Sequence, residues 1–198
     1  MGNIDSKFKR TMGFLTVVEH PQYGLFGGYL ILNTAGRPLE FHCTAPVKPN
    51  RAQEILYGPT LESFLYGEQI GQTLINQGSE PPLLVCTDVK PALAARDYVP
   101  VPLALVLSSG NQTVLEQPGE TLPSSESGEF FRLDAAHRGG PRLVIFQLGR
   151  NRLALPQHAE EDRRLIADSL ADMADSFDLA EPFQRIRDAI KEAQQALQ

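Results

Sequence analysis

The chain has 198 residues, enough for one ordinary domain with a sizeable core, or for one domain and a helical extension. A hydrophobic fraction of 42% and a charged fraction of 21% are globular values and exclude wholesale disorder. A net charge of −6 and a pI near 5.2 argue against a broad basic nucleic-acid surface, and with no tryptophan and only 8% aromatics the composition advertises no aromatic-rich cleft.

The leader, residues 1–13, is polar. Met1-Gly2-Asn3-Ile4-Asp5-Ser6 fits the N-myristoylation pattern, with Lys7, Lys9 and Arg10 just behind it. An acyl chain with a few basic residues makes a two-signal membrane anchor, so a lipid-anchored peripheral adaptor held through Gly2 is one functional expectation. Membrane enters as a partner only if Gly2 is acylated. No stretch approaches the ~20 apolar residues that span a bilayer. The first apolar run, residues 14–18, is too short for a secretory signal, and the expected location is the cytoplasm.

That β-branched run predicts the first strand, closed by Glu19-His20-Pro21. Residues 22–28 read as a loop containing the Gly27-Gly28 pair. Strands over 29–32 and 39–44 follow, joined by an Asn33–Pro38 turn, and three strands with short connections predict an antiparallel meander. After a proline-rich break Asn50 caps a helix, with Gln53 completing a capping box. Gly58-Pro59 then predicts a kink and a restart at Thr60. Leu61, Phe64, Leu65, Leu74 and Ile75 mark one helical face, and Glu68 falls on it. Gly67 and Gly71 on this helix leave room for another backbone.

Residues 83–86 form a strand without alternation, as expected of burial on both faces. A short helix over 91–98 and a strand over 101–107 come next. Residues 108–128, rich in Ser, Gly, Glu and Pro, read as a flexible loop. A strand at 130–133, a turn at 137–141 and a strand at 143–148 complete the expected domain, residues 14–150. The remainder, residues 151–198, reads as a pair of amphipathic helices carrying ten acids and six bases, net −4. One has the stripe Leu165, Ile166, Leu170 and Met173; the other has Phe183, Ile186, Ile190 and Leu197. The predicted fold is α+β: a mixed sheet of about five or six strands beginning as a meander, one kinked helix on a face, and a C-terminal helical pair.

Chemistry-bearing residues are few. Glu40, Glu68 and Asp88 are strand-end or helix carboxylates of the kind that hold magnesium or manganese in phosphoryl chemistry, with Glu40 and Asp88 as the metal ligands. Three strands, a helix and a further strand ending in Asp88 resembles the order at the start of ribonuclease H-like folds, which implies an acid within the first strand; here Glu19 lies at that strand's end. Asp88-x-Lys90 is similar to half of the restriction-endonuclease core motif, which implies a lysine assisting beside a metal-bound acid; that motif's other acid and its proline have no counterpart. His20, His42, Cys43 and Cys86 lack zinc-ligand spacing, and both cysteines read as small buried hydrophobes of a reducing compartment. His137 and His158 lie in polar surroundings and read as solvent-exposed. Phosphate-cradling glycine motifs and nucleophile elbows are absent.

With no self-sufficient catalytic motif, the expected function is a non-enzymatic interaction or scaffold protein, binding a protein partner or itself. Its C-terminal helices would present Phe183, Ile186 and Ile190 as anchors. The alternative is a metal-dependent nuclease or phosphotransfer enzyme using Glu40, Glu68, Asp88 and Lys90.

Overall fold

The computed structural model describes residues 10–107, 142–170 and 177–195. Its strands are β1 (Thr11–His20), β2 (Gly24–Asn33), β3 (Pro38–Cys43), β4 (Leu84–Thr87), β5 (Leu103–Val106), β6 (Leu143–Leu148) and β7 (Asn151–Pro156). They form one seven-stranded sheet in the order β3-β2-β1-β4-β5-β7-β6. The predicted meander is present: β1 and β2 pair antiparallel from Thr11↔Asn33 to His20↔Gly24, and β3 pairs antiparallel with β2. β4 then returns beside β1 in parallel, β5 lies parallel to β4, and the β6–β7 hairpin closes antiparallel on β5. The fold is therefore α+β on a mixed sheet, with one or two strands more than the sequence suggested.

Period-two alternation divides the sheet between two cores. Phe14, Leu30, Leu84, Cys86, Val106 and Leu153 face one side, where Ile166 and Leu170 of α3 (Asp162–Leu170) and Phe183, Ile186 and Ile190 of α4 (Glu181–Gln195) cover them. Leu15, Tyr29, Ile31, Val85 and Leu103 face the other, beneath a helical stretch broken into pieces. Those pieces are α1 (Arg51–Tyr57), a 3-10 turn over Gly58–Thr60, a π-helix over Ser63–Gln72 and α2 (Thr73–Gln77). A 3-10 helix, Lys90–Asp97, lies alongside. The break falls where Gly58-Pro59 predicted it, and the capping box is formed: Gln53 N–H donates to Asn50 Oδ1 at 2.9 Å and Asn50 N–H to Gln53 Oε1 at 3.0 Å.

Four readings need correction. β1 begins at Thr11, inside the expected leader. Gly27 and Gly28 lie within β2 rather than in a loop, because helices crowd both faces there. A Cβ on Gly27 would strike Ile70, and one on Gly28 would strike Ile186, so glycine lets both layers reach the sheet. Residues 151–156 form a strand, not the start of the helical tail. Gly149, at φ 54°, makes the tight turn that returns the chain from β6. Finally, Leu165 is exposed and leaves the α3 stripe to Ile166 and Leu170. The expected loop at 108–128, the strand at 130–133, the turn at 137–141, Gly2, Met173 and Leu197 lie outside the described residues.

Candidate functional site

The carboxylates singled out by sequence do not gather. Glu40 stands on β3 and Asp88 just beyond β4, and β2 and β1 lie between, a lateral offset across the sheet of about 14 Å at ~4.8 Å per strand. Glu40 accepts from the Ser79 backbone N–H at 3.0 Å and lies 3.1 Å from His42 Nε2. These two bonds, the Ser79 one foremost, hold its carboxyl below the usual glutamate range. Asp88 accepts from Thr16 Oγ1 at 2.7 Å and is ion-paired with Arg187 of α4. The ribonuclease H-like resemblance implies an acid in the first strand, and the β1 side chain that meets Asp88 is Thr16. Lys90 opens the 3-10 helix, half-buried. Among the described residues no group of three His, Cys, Asp or Glu side chains converges to hold a metal.

The other singled-out groups also have local duties. His20 Nδ1 accepts from the backbone N–H groups of Gln22 and Tyr23, closing the β1–β2 turn. Cys86 is fully buried, and burial pushes its thiol strongly up. Cys43 is exposed, contrary to the reading of two buried cysteines, because β3 is an edge strand. Phe183, Ile186 and Ile190 are 2%, 1% and 3% exposed. They pack on Phe14 and the sheet, so they hold the core and are not surface anchors, a correction to their expected role.

Of the four proposed catalytic residues, Glu68 has the most distinctive surroundings. Gly58-Pro59 folds the helical stretch back so that the rings of Tyr57 and Phe64 stack at 4.0 Å. The π-helix that follows is wider than an α-helix, a form concentrated at functional sites. It approaches the 3-10 helix closely: a Cβ on Gly67 would come 2.6 Å from Ala94 Cβ, and one on Gly71 would come 2.9 Å from Ala95 Cβ. The expected close approach at these two glycines is thus met by Ala94 and Ala95.

Between the two helices lies a cleft of about 320 Å³, lined in part by Leu93 and Ala94. Tyr57, Phe64 and Tyr98 supply its rings, Glu68 and Asp97 its carboxylates, and His158 also lines it. Desolvation foremost, then the nearby Glu68 charge, raises the Tyr98 phenol above its ordinary value. His158 Nε2 lies 2.9 Å from Asp97 Oδ1. Among the described residues no lysine or arginine lines the cleft. At its rim α1 buries none of its residues and leaves Ile55 and Leu56 66% and 82% exposed. A larger depression of about 830 Å³ along α3 is lined, among the described residues, by Glu160, Glu161, Arg163, Arg164 and Ala167, two acids with two arginines and no ring.

Sequence reasoning found Glu68 and the glycines but not the cleft. Its rings come from segments up to 41 positions apart, Tyr57 to Tyr98, and low overall aromatic content hides such a local concentration. The legible signal was Gly58-Pro59 directly after an Ile-Leu-Tyr run.

No helix among the described residues is long and apolar enough to cross a membrane. No protein-family model matches this chain, and no curated protein matches its sequence.

Proposed function

We propose that the protein acts by binding a macromolecular partner or a second copy of itself, and that its contact surface is the Glu68–Tyr98 cleft with the adjoining rim of α1. One observation carries this reading: Ile55 and Leu56 stand exposed on a helix that buries nothing, directly before the ring of Tyr57. Large apolar side chains held in water gain roughly 1.5–3 kcal/mol each when fully covered, which a partner would collect. The expected interaction role therefore moves from the C-terminal helices to α1, since the α4 stripe already covers the sheet.

The test is a pair of surface variants. Sedimentation of the purified chain and quantitative capture from an extract of its own host are compared for wild type, Leu56→Asp and the control Leu165→Asp, which changes an exposed leucine on α3. A dimer or a partner that disappears with Leu56→Asp and persists with Leu165→Asp supports the reading. A complex held equally by all three proteins sinks it.

A further inference from the structure

We propose that the cleft receives the guanidinium of an arginine side chain carried by the partner. This rests on the reading of the cleft and α1 rim as a contact surface and specifies what enters it.

The sign of the charge comes first. Among the described residues two carboxylates, Glu68 and Asp97, line the cleft without any lysine or arginine, and the imidazole of His158 lies against Asp97. An anion would meet repulsion from both acids, whereas a cation is favoured by both. The cation is not a bare metal ion, because no three acid, histidine or cysteine side chains converge among the described residues.

The rings decide between organic cations. Tyr57, Phe64 and Tyr98 border the same space as the carboxylates. A planar guanidinium stacks on aromatic faces and reaches a carboxylate with a fork of N–H donors; an ammonium is a strongly hydrated point charge that does neither as well. An ionised carboxylate has about four acceptor positions, so Glu68 has capacity for such a fork. The volume of about 320 Å³ is at the small end of ligand sites and suits one long side chain better than a large cofactor. Ile55 and Leu56, exposed directly before the cleft residue Tyr57, offer apolar contact to residues flanking that arginine. Apolar contact at the rim and cation recognition in the cleft together describe an arginine presented among hydrophobic residues.

The experiment titrates the full-length, nitrogen-15-labelled chain with acetyl-Leu-Arg-Leu-amide and with the same peptide carrying citrulline, which keeps the shape and loses the charge. Backbone resonances of Glu68, Ala94 and Tyr98 should move with the arginine peptide, which should bind about tenfold more tightly than its citrulline counterpart. Glu68→Gln should reduce that advantage to about twofold, and Asp97→Asn, at an exposed position where folding is not at stake, should reduce it as well. Equal affinity for the two peptides, an advantage unchanged in both variants, shifts scattered over the acidic surface, or no binding of either peptide each overturns the proposal. The two readings fail separately. Capture lost with Leu56→Asp alongside equal peptide affinities leaves the contact surface standing and removes the arginine. Capture unchanged by Leu56→Asp removes the contact surface, whatever the peptides do.

Discussion

A buried hydroxyl with nothing to bond is a standing cost, and Tyr29 carries one. Its side chain is fully buried over Gly13, and its Oη has no hydrogen-bond partner among the described residues. Desolvation foremost, with the Glu40 charge behind it, drives that phenol strongly up. Tyr29→Phe keeps the ring and removes the orphan group, so stability in urea should hold or rise by about 1 kcal/mol; a loss of that size would mean the hydroxyl is bonded. Arg96 is the opposite case. Its guanidinium grips Asp162 through Nε at 2.6 Å and Nη2 at 3.1 Å and donates to the Val99 carbonyl at 3.0 Å. Arg96→Ala strands a buried carboxylate and should cost about 3 kcal/mol, the lower end for such a loss because the arginine is partly solvated. Replacing both partners by apolar residues of similar volume should recover most of it. At Glu40 the sign follows from a lowered folded-state pKa: its contribution is present above the unfolded value and is lost as pH falls through the folded one. Glu40→Gln should flatten the melting temperature across the acid limb below the usual glutamate range.

At the scale of elements, the Gly27-Gly28 pair and α4 depend on each other. With Ile186 and Ile190 against Gly28, and Ile70 and Leu74 against Gly27, the sheet is thinnest where helices of both layers cross it. Gly28→Val should lift α4 and cost about 1–3 kcal/mol by overpacking, measured by urea denaturation. Phe183, edge-on to Phe14 at 5.7 Å, is the largest α4 side chain in this contact. Phe183→Ala should cost about 3–5 kcal/mol and weaken partner capture only as far as it unfolds the protein. The amphipathic period of α4 was plain in the sequence: a stripe at 183, 186 and 190 with charges between. Its destination was not, because periodicity states that a face will be covered without stating by what. β7 escaped for a related reason. Asn151-Arg-Leu-Ala-Leu-Pro is short and contains good helix formers, and only pairing with β5 and β6 makes it a strand.

For the whole molecule, two arginine–carboxylate pairs among the described residues link distant parts of the chain. Asp88 beyond β4 meets Arg187 on α4, and Arg96 on one layer meets Asp162 at the start of α3. Asp88 is thus engaged in holding the fold, and millimolar magnesium or manganese should leave the melting temperature unchanged in wild type. A rise of several degrees that Asp88→Ala abolishes would instead restore the metal reading, since a ligand binding only the native state stabilises it by about 2.7 kcal/mol at a hundred times its Kd. The protein should also lose stability in alkali. Tyr29 and Cys86 both have folded pKa values raised by burial, so their contribution is complete below the unfolded values and falls as pH rises above them. Melting temperatures measured upward from pH ~8 should drop through the ordinary tyrosine range, about pH 10, and less so in Tyr29→Phe.

By itself the sequence determined the local elements: the meander, the Asn50 cap, the break at Gly58-Pro59, the doubly buried β4 and the stripe of α4. Each follows from forces acting within a few residues, namely steric limits on proline and glycine, capping of free N–H groups and the period of apolar side chains. Only the tertiary structure decided which side of the sheet each helix covers, that Glu40 and Asp88 stand apart, and that Tyr57, Glu68, Asp97, Tyr98 and His158 share one cleft. Those are meetings between residues remote in the chain, and their geometry is set by strand order and by how closely Gly67 lets two helices approach.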